Sequence, residues 1–510
     1  MTYMTIIKKI YSSLVFVGML AGAVSCKKEL DKNLQNPNGV PSKDIKGKDV
    51  FPSALNNTAA MILGQAVYST GTATAAFASE WMGYTARTTS YSASGAQLQI
   101  ELFTLNSTYS NGLWEGQYHN IFDYNFVIAN SDATSVLSGA AKVMRALVFE
   151  DLVDIYGNIP YKQAVDPSGN IRPAYDTDST IYRSLITDLD SAIISLKASQ
   201  SGADDAADVL FKGDKTKWVQ FANTIKMRIL IRQSVNGDQT YIKQQFTAIQ
   251  TEGSGFLSQE AGVNPGYTDA VNQQSPLWNN YGFEVGGKNG KANHVFYIAN
   301  KTMTDYLAAR ADPRLGRLYA ESPSGVYDGN FLGDGVSARP VATLSTFGPG
   351  VLQSAAMDAV LMSASQSYLL QAEAAYKGYI TGDYISLFRK GVEESFRYLG
   401  VPGGATAADA YIDGSADDRI NIAASANPVK TIIYQKWIAL CEMDGLEAWA
   451  EWRRTGFPDR TKPSLNPSVA TNVIPERLLY PQTEFDNNTA NVAMQKQTSA
   501  DKYKAIFWSK

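Results

Sequence analysis

Apolar residues recur along this chain at steps of three and four, the spacing that gathers them on one face of a helix. Trp114, Tyr118, Ile121, Phe122 and Ile128 form one such stripe. Met144, Leu147, Val148, Leu152 and Ile155 form a second, with Gly157 placed to cap its C-terminus. Ile181, Leu185, Leu189, Ala192 and Leu196 make a third, and Trp218, Phe221, Ile225 and Ile229 a fourth. The stretch 365–398 reads as two helices broken at Thr381-Gly382-Asp383-Tyr384, and 431–454 as the last long helical region, interrupted at Gly445. The folded body is expected to start near Phe51-Pro52-Ser53, with Ser53 as an N-cap. Between the helices run segments rich in Gly, Ser, Thr, Asn and Tyr, at 83–112, 251–295 and 321–350. Strands do not alternate with helices, so the pattern predicts a mainly α fold. Irregular loops of that length on a rigid scaffold suit binding.

The 365–398 pair is similar to a tetratricopeptide unit, with small Ala375 at a close-packing position of its first helix. Leu387 and Glu394 stand where the second helix usually has alanines, and no period of about 34 residues runs along the chain. Repeats of this kind would therefore be divergent and separated by insertions.

The N-terminus has a different character. Lys8-Lys9 precede a mostly apolar run, 10–24, which is too short to span a bilayer, so residues 1–25 read as a secretory signal. Small residues lead to Cys26, where a bacterial lipoprotein would be cut and acylated; Ala23 takes the place of the usual Leu. Residues 26–50 are polar and read as a lipidated tether, and 51–510 as a single ligand-binding body. No later stretch approaches eighteen uninterrupted apolar residues, so the chain would meet the membrane through its lipid alone. Losing Lys8 and Lys9 takes the net charge from −4 to −6, which excludes a general attraction to nucleic acid or anionic lipid. Glu29 and Asp31, close behind Cys26, point to display on the cell exterior.

Chemistry is scarce. Cys26 and Cys441 are the only cysteines, so an acylated Cys26 leaves no intramolecular disulfide. His119 and His294 lie far apart without zinc-ligand spacing, whereas calcium ligands need no fixed spacing, so the sequence leaves a metal undecided. There is no Gly-x-Ser-x-Gly and no His-Glu-x-x-His. The stretch Gly282 to Gly287-Lys288 has P-loop spacing but ends in Asn289, where Ser or Thr should hold magnesium. The carboxylate pairs Glu150-Asp151 and Glu393-Glu394 lie on predicted helices, where such pairs are solvated faces or structural partners; a glycosidase would need one acid raised by burial. No cofactor and no catalysis are expected.

Aromatic residues are more telling. The 28 Tyr, 20 Phe and 8 Trp, with abundant Asn and Gln in the loops, suit an uncharged polar ligand, although most of the rings must be core. In Glu80-Trp81-Met82-Gly83-Tyr84-Thr85-Ala86-Arg87, followed by Tyr91, rings stand beside a donor and an acid. Pro276-Leu277-Trp278-Asn279-Asn280-Tyr281 places two rings around two amides. A pyranose offers an apolar C–H face and a fringe of hydroxyls, which ring stacking and amide or guanidinium groups would answer. The candidate ligand-binding residues are therefore Trp81, Tyr84, Arg87, Tyr91, Trp278, Asn279 and Tyr281.

A series of blocks in fixed order resembles the SusD/RagB-like nutrient-binding outer-membrane lipoproteins. It runs from Asn36-Pro37-Asn38 and Phe51-Pro-Ser-Ala-Leu55 through Arg145-Ala-Leu-Val-Phe149 to Asp154-Ile-Tyr-Gly-Asn-Ile-Pro-Tyr161. Asp312-Pro-Arg-Leu315, Gln371-Ala-Glu-Ala374, Glu442-Met-Asp-Gly445 and Trp452-Arg-Arg-Thr-Gly456 follow, then Ile474-Pro-Glu-Arg477 and Tyr480-Pro-Gln-Thr-Glu484. Asp444-Gly445-Leu446-Glu447 replaces the Glu-Gly-x-Arg block of the larger branch, so the chain looks closer to the second SusD-like branch. The resemblance implies a right-handed stack of tetratricopeptide-like helical pairs covered by a loop-rich half. It implies a lipid-anchored outer-membrane protein that captures oligosaccharide, or in some relatives peptide, and passes it uncleaved to a SusC-like TonB-dependent transporter. It also implies ligand contacts in two regions, 80–115 and 270–300. A surface glycoside hydrolase and a helical adaptor for protein partners are the competing readings.

Overall fold

The computed structural model describes residues 44–65, 67, 74–164, 170–460 and 462–510. The signal, Cys26 and most of the tether lie outside the described residues. Residues Gly47–Lys510 form one compact unit.

The first long helix, α1 (Gly47–Ile62), begins four residues before the expected start. Pro52 lies inside it and Ser53 is not its cap. Pro52 removes one backbone bond, but Phe51, Ala54 and Leu55 are fully buried on the same helix, and that burial outweighs the loss. The stripes then appear as helices in sequence: α2 (Ser107–Ala129), α3 (Val136–Tyr156), α4 (Asp178–Ala198), α5 (Lys215–Arg232) and α6 (Gln239–Glu252). Side-chain oxygens of Asn106, Ser135, Asp214 and Asp238 accept from first-turn amides and fix four of these starts. Gly157 ends α3 at φ 81°, ψ −116°, a conformation reserved for glycine. Each of α2 to α6 packs on the next, and α1 lies against α2 and α3.

The expected break in 365–398 separates α7 (Ala364–Tyr376) from α8 (Tyr384–Leu399). Their close approach is set by Gly391, where a Cβ would stand 2.7 Å from Leu369, rather than by Ala375, which is only half-buried. The pair continues into α9 (Gly404–Asp413), and the last helical region divides into α10 (Pro428–Ala439) and α11 (Gly445–Thr455). No helix among the described residues is long and apolar enough to cross a membrane.

A buried ionic network knits α3, α5, α7, α10 and α11 together. Arg228 grips Glu150 with two bonds of 2.9 and 2.7 Å. Arg232 reaches Glu447 at 2.5 Å and Asp154 at 3.3 Å. Lys436 bridges Glu447 at 2.5 Å and Glu451 at 3.2 Å. Arg454 completes the chain with paired bonds of 2.7 Å to Glu373. Burial alone would raise the Glu447 carboxyl, yet Arg232 and Lys436 hold it well below its ordinary range.

Strand structure is confined to three short antiparallel pairs among the described residues. Ile159–Pro160 joins Tyr175–Asp176, and Ala261–Val263 joins Ala359–Met362. The third pair, Thr85–Arg87 with Tyr297–Ala299, draws the two long loop regions together, with Arg87 opposite Tyr297. The expected irregular stretch 83–112 also contains a helix, Gly95–Leu102, whose Gln97, Ile100 and Glu101 are buried.

Candidate ligand-binding site

The short helix Pro276–Tyr281 carries the later candidate motif. Pro276 pre-sets its first turn, and Asn279 and Asn280 face a cleft of about 450 Å³. Tyr281, Tyr297 and Asn293 line the same cleft, and Gln65 and Thr74 close it from the segment after α1. No charged side chain is among the described residues that line it. Its amides are held in place: Asn293 donates to Asn280 at 2.6 Å, the Lys291 ammonium donates to Asn279 at 2.9 Å, and Gln65 donates to the Pro276 carbonyl. The Tyr281 ring meets the Tyr297 ring edge-on at 5.8 Å. Burial first, then the nearby carboxyls of Glu442 and Glu80, push the Tyr281 hydroxyl far above its ordinary value; Tyr297 is raised by burial and Glu80. Both hydroxyls are therefore neutral, and that of the buried Tyr281 already bonds Asn280.

Of the seven candidate residues, the structure brings Asn279 and Tyr281 into this cleft. Trp278 stands beside it, half-buried, with its ring 5.6 Å from Phe283 and a buried Nε1 that has no partner among the described residues. Tyr91 is 54% exposed and stacks on Phe296 at 5.9 Å, away from the cleft lining.

Trp81, Tyr84 and Arg87 must be corrected, because all three are core. Trp81 is wholly buried against Phe77, Phe103 and Trp449, and its Nε1 donates to the Ile100 carbonyl at 3.1 Å. The Tyr84 hydroxyl donates to the Trp437 carbonyl at 2.6 Å. Arg87 is spent on Glu101 at 3.0 Å and on the carbonyls of Thr88, Tyr91 and Asp334. These groups hold the loop in place, and every polar atom that a ligand would need is already engaged.

Sequence reasoning missed Gln65, Thr74, Asn293 and Tyr297. The early contribution to the cleft comes from Gly64, Gln65, Thr74 and Ala76, upstream of the expected 80–115 region, while the later one falls within 270–300. The only signal that could have found Tyr297 is its pairing opposite Arg87, which no local pattern reveals.

The catalytic near misses are also placed. Glu284 and Gly287 amides bond within the turn, to Asn289 and Glu284 carbonyls at 2.9 and 2.8 Å, so the P-loop-like stretch is a closed hairpin rather than a phosphate cradle. Glu150 belongs to the ionic network, and Glu394 pairs with Arg397 and Lys390. Neither faces the cleft. Among the described residues no group of three or more His, Cys, Asp or Glu is placed to hold a metal.

A SusD-like family model, described as starch-binding and associating with the outer membrane, matches residues 47–481. The chain belongs to this SusD-like family. Its members are outer-membrane binding proteins without catalytic activity, and solved SusD homologs share the mainly helical fold seen here. Among solved structures, a chitin-binding protein superposes with a TM-score of 0.72 at 24% identity, covering 91% of this chain and 99% of that one. A SusD homolog from Bacteroides fragilis gives 0.71 at 21%, with 92% and 100% covered. A chitin-binding SusD homolog from Flavobacterium johnsoniae gives 0.69 at 19%, with 90% and 98% covered. No match emerges among the curated proteins.

Proposed function

We propose that this SusD-like protein captures oligosaccharide in the cleft between Gln65, Asn279–Tyr281 and Tyr297, and passes it uncleaved to a SusC-like TonB-dependent transporter. The carrying observation is the lining itself: neutral amides and two tyrosines, with no charge among the described residues. Such a surface answers hydroxyls and C–H faces, and the Lys291 ammonium at its edge is already bonded to Asn279. The family description and the chitin-binding names of two similar structures agree with a carbohydrate. In this reading Cys26 carries the lipid anchor and the body faces the cell exterior. Binding is modest, since exposed hydrogen bonds and two rings must offset desolvation, and modest binding permits release to the transporter.

Calorimetry of the mature chain from residue 27 onward, against starch and chitin oligosaccharides and a set of peptides, tests this. The wild type is expected to bind at least one glycan saturably. Asn279→Ala combined with Asn280→Ala removes two amide partners and should weaken that binding about tenfold with an unchanged circular dichroism spectrum. Peptide binding alone, or glycan affinity untouched by the double substitution, contradicts the proposal.

A further inference from the structure

A second cavity, of about 260 Å³, opens beside α2 and shares no lining residue with the cleft. Trp114 and Tyr118, four residues apart on α2, form its aromatic wall with Pro160 and Pro173, and Glu115 and Glu484 supply carboxylates. The Trp114 ring is almost wholly buried, 6.3 Å from Tyr175, edge-on to Tyr480 at 6.1 Å and 4.9 Å from Tyr118, so it backs the half-buried Tyr118 ring that lines the cavity. Glu484 accepts from the Tyr175 hydroxyl at 2.8 Å and from the Asn488 amide at 2.9 Å. Both donors are neutral, no lysine or arginine is among the described residues that line the cavity, and its one basic lining residue among them is the exposed His119. Burial first, then the neighbouring Glu484, holds the Tyr118 and Tyr175 hydroxyls above their ordinary value.

An aromatic face beside carboxylates, with no lysine or arginine among the described lining residues, is complementary to positive charge. A ring's negative face attracts a cation, and the attraction grows as water is excluded. A neutral sugar could use the rings, but it would leave the carboxylates without a counter-charge.

We propose that this cavity is a binding site for an organic cation, a primary ammonium group borne by an amino sugar or a basic amino acid. The ammonium group sits against the Tyr118 ring, which Trp114 backs, and is neutralised by Glu484, with Glu115 contributing. The site is independent of the oligosaccharide reading, because different residues build it.

Calorimetric titration of the mature chain with glucosamine, N-acetylglucosamine and lysinamide at low ionic strength tests the assignment. At least one free amine is expected to saturate, with N-acetylglucosamine at least tenfold weaker. Glucosamine as the tighter amine indicates an amino-sugar source, and lysinamide as the tighter one indicates a peptide source. Glu484→Gln should weaken the amine tenfold or more and Glu115→Gln severalfold, while glycan affinity at the cleft stays unchanged in both. Should Glu484→Gln fail to fold, the Glu115→Gln result and the amine-to-amide ratio decide. Saturation by neither amine, equal binding of the amine and its acetylated form, or amine affinity untouched by either substitution overturns the proposal.

Discussion

Glu447→Ala is expected to lower folding stability by about 3–5 kcal/mol, read from the urea midpoint of the mature chain. Glu447 sits at the centre of the ionic network, within 2.5 Å of both Arg232 and Lys436. All three side chains are almost completely buried. Arg232 keeps Asp154 and Lys436 keeps Glu451, but deleting the carboxylate takes one negative charge from a buried network, and that charge imbalance, rather than the lost contact alone, sets the size of the effect. Glu447→Gln keeps the shape and one acceptor and should cost less. Arg397→Ala breaks a pair with Glu260 at 2.5 Å, yet Arg397 is half exposed, so water compensates and the loss should be at most about 1 kcal/mol. A Glu447→Ala midpoint no lower than that of Arg397→Ala would mean that the network does not bind the five helices together.

Stability is also expected to fall as the pH rises from about 5 to 8. Burial, opposed in part by Gln97, raises the Glu80 carboxyl to about 8; burial, with Glu80 adding, raises Glu442 to about 8. Each is protonated in the folded chain at a pH where the unfolded chain has already released the proton. Their contribution is therefore complete below the ordinary carboxyl value and is lost as the pH climbs toward about 8, with a slope near 1.4 kcal/mol per pH unit for each group. Asp444, raised by burial to about 7, acts in the same direction. Glu80→Gln and Glu442→Gln should each flatten the profile of melting temperature against pH. A wild-type melting temperature that is level or rising across this window, or slopes in both variants unchanged from the wild type, contradicts the assignment.

The helices were legible because a buried face imposes its period on the sequence. The third stripe, Ile181 to Leu196, falls within α4, and the break at 381–384 falls at the start of α8. Long-range pairing was not legible. Glu150 looks like half of a solvated helical pair, yet its partner Arg228 lies 78 residues away and both are buried. Trp81 and Trp278 illustrate the same limit at the site. An indole near an acid or an amide reads alike whether it plugs the core or borders a cleft, and only the packing of Phe77, Phe103 and Trp449 decides for Trp81. Asn279 and Tyr281 could be chosen because they sit in one short motif, whereas Gln65 and Tyr297 join them only through the fold.

The most direct test of the central claim is a crystal structure of the mature protein soaked with the tightest-binding oligosaccharide. The account predicts sugar density in the cleft, with hydroxyls bonded to Asn279 or Asn280 and a ring against Tyr297 or Tyr281. Ordered sugar elsewhere on the body, with the cleft holding only water, would contradict it.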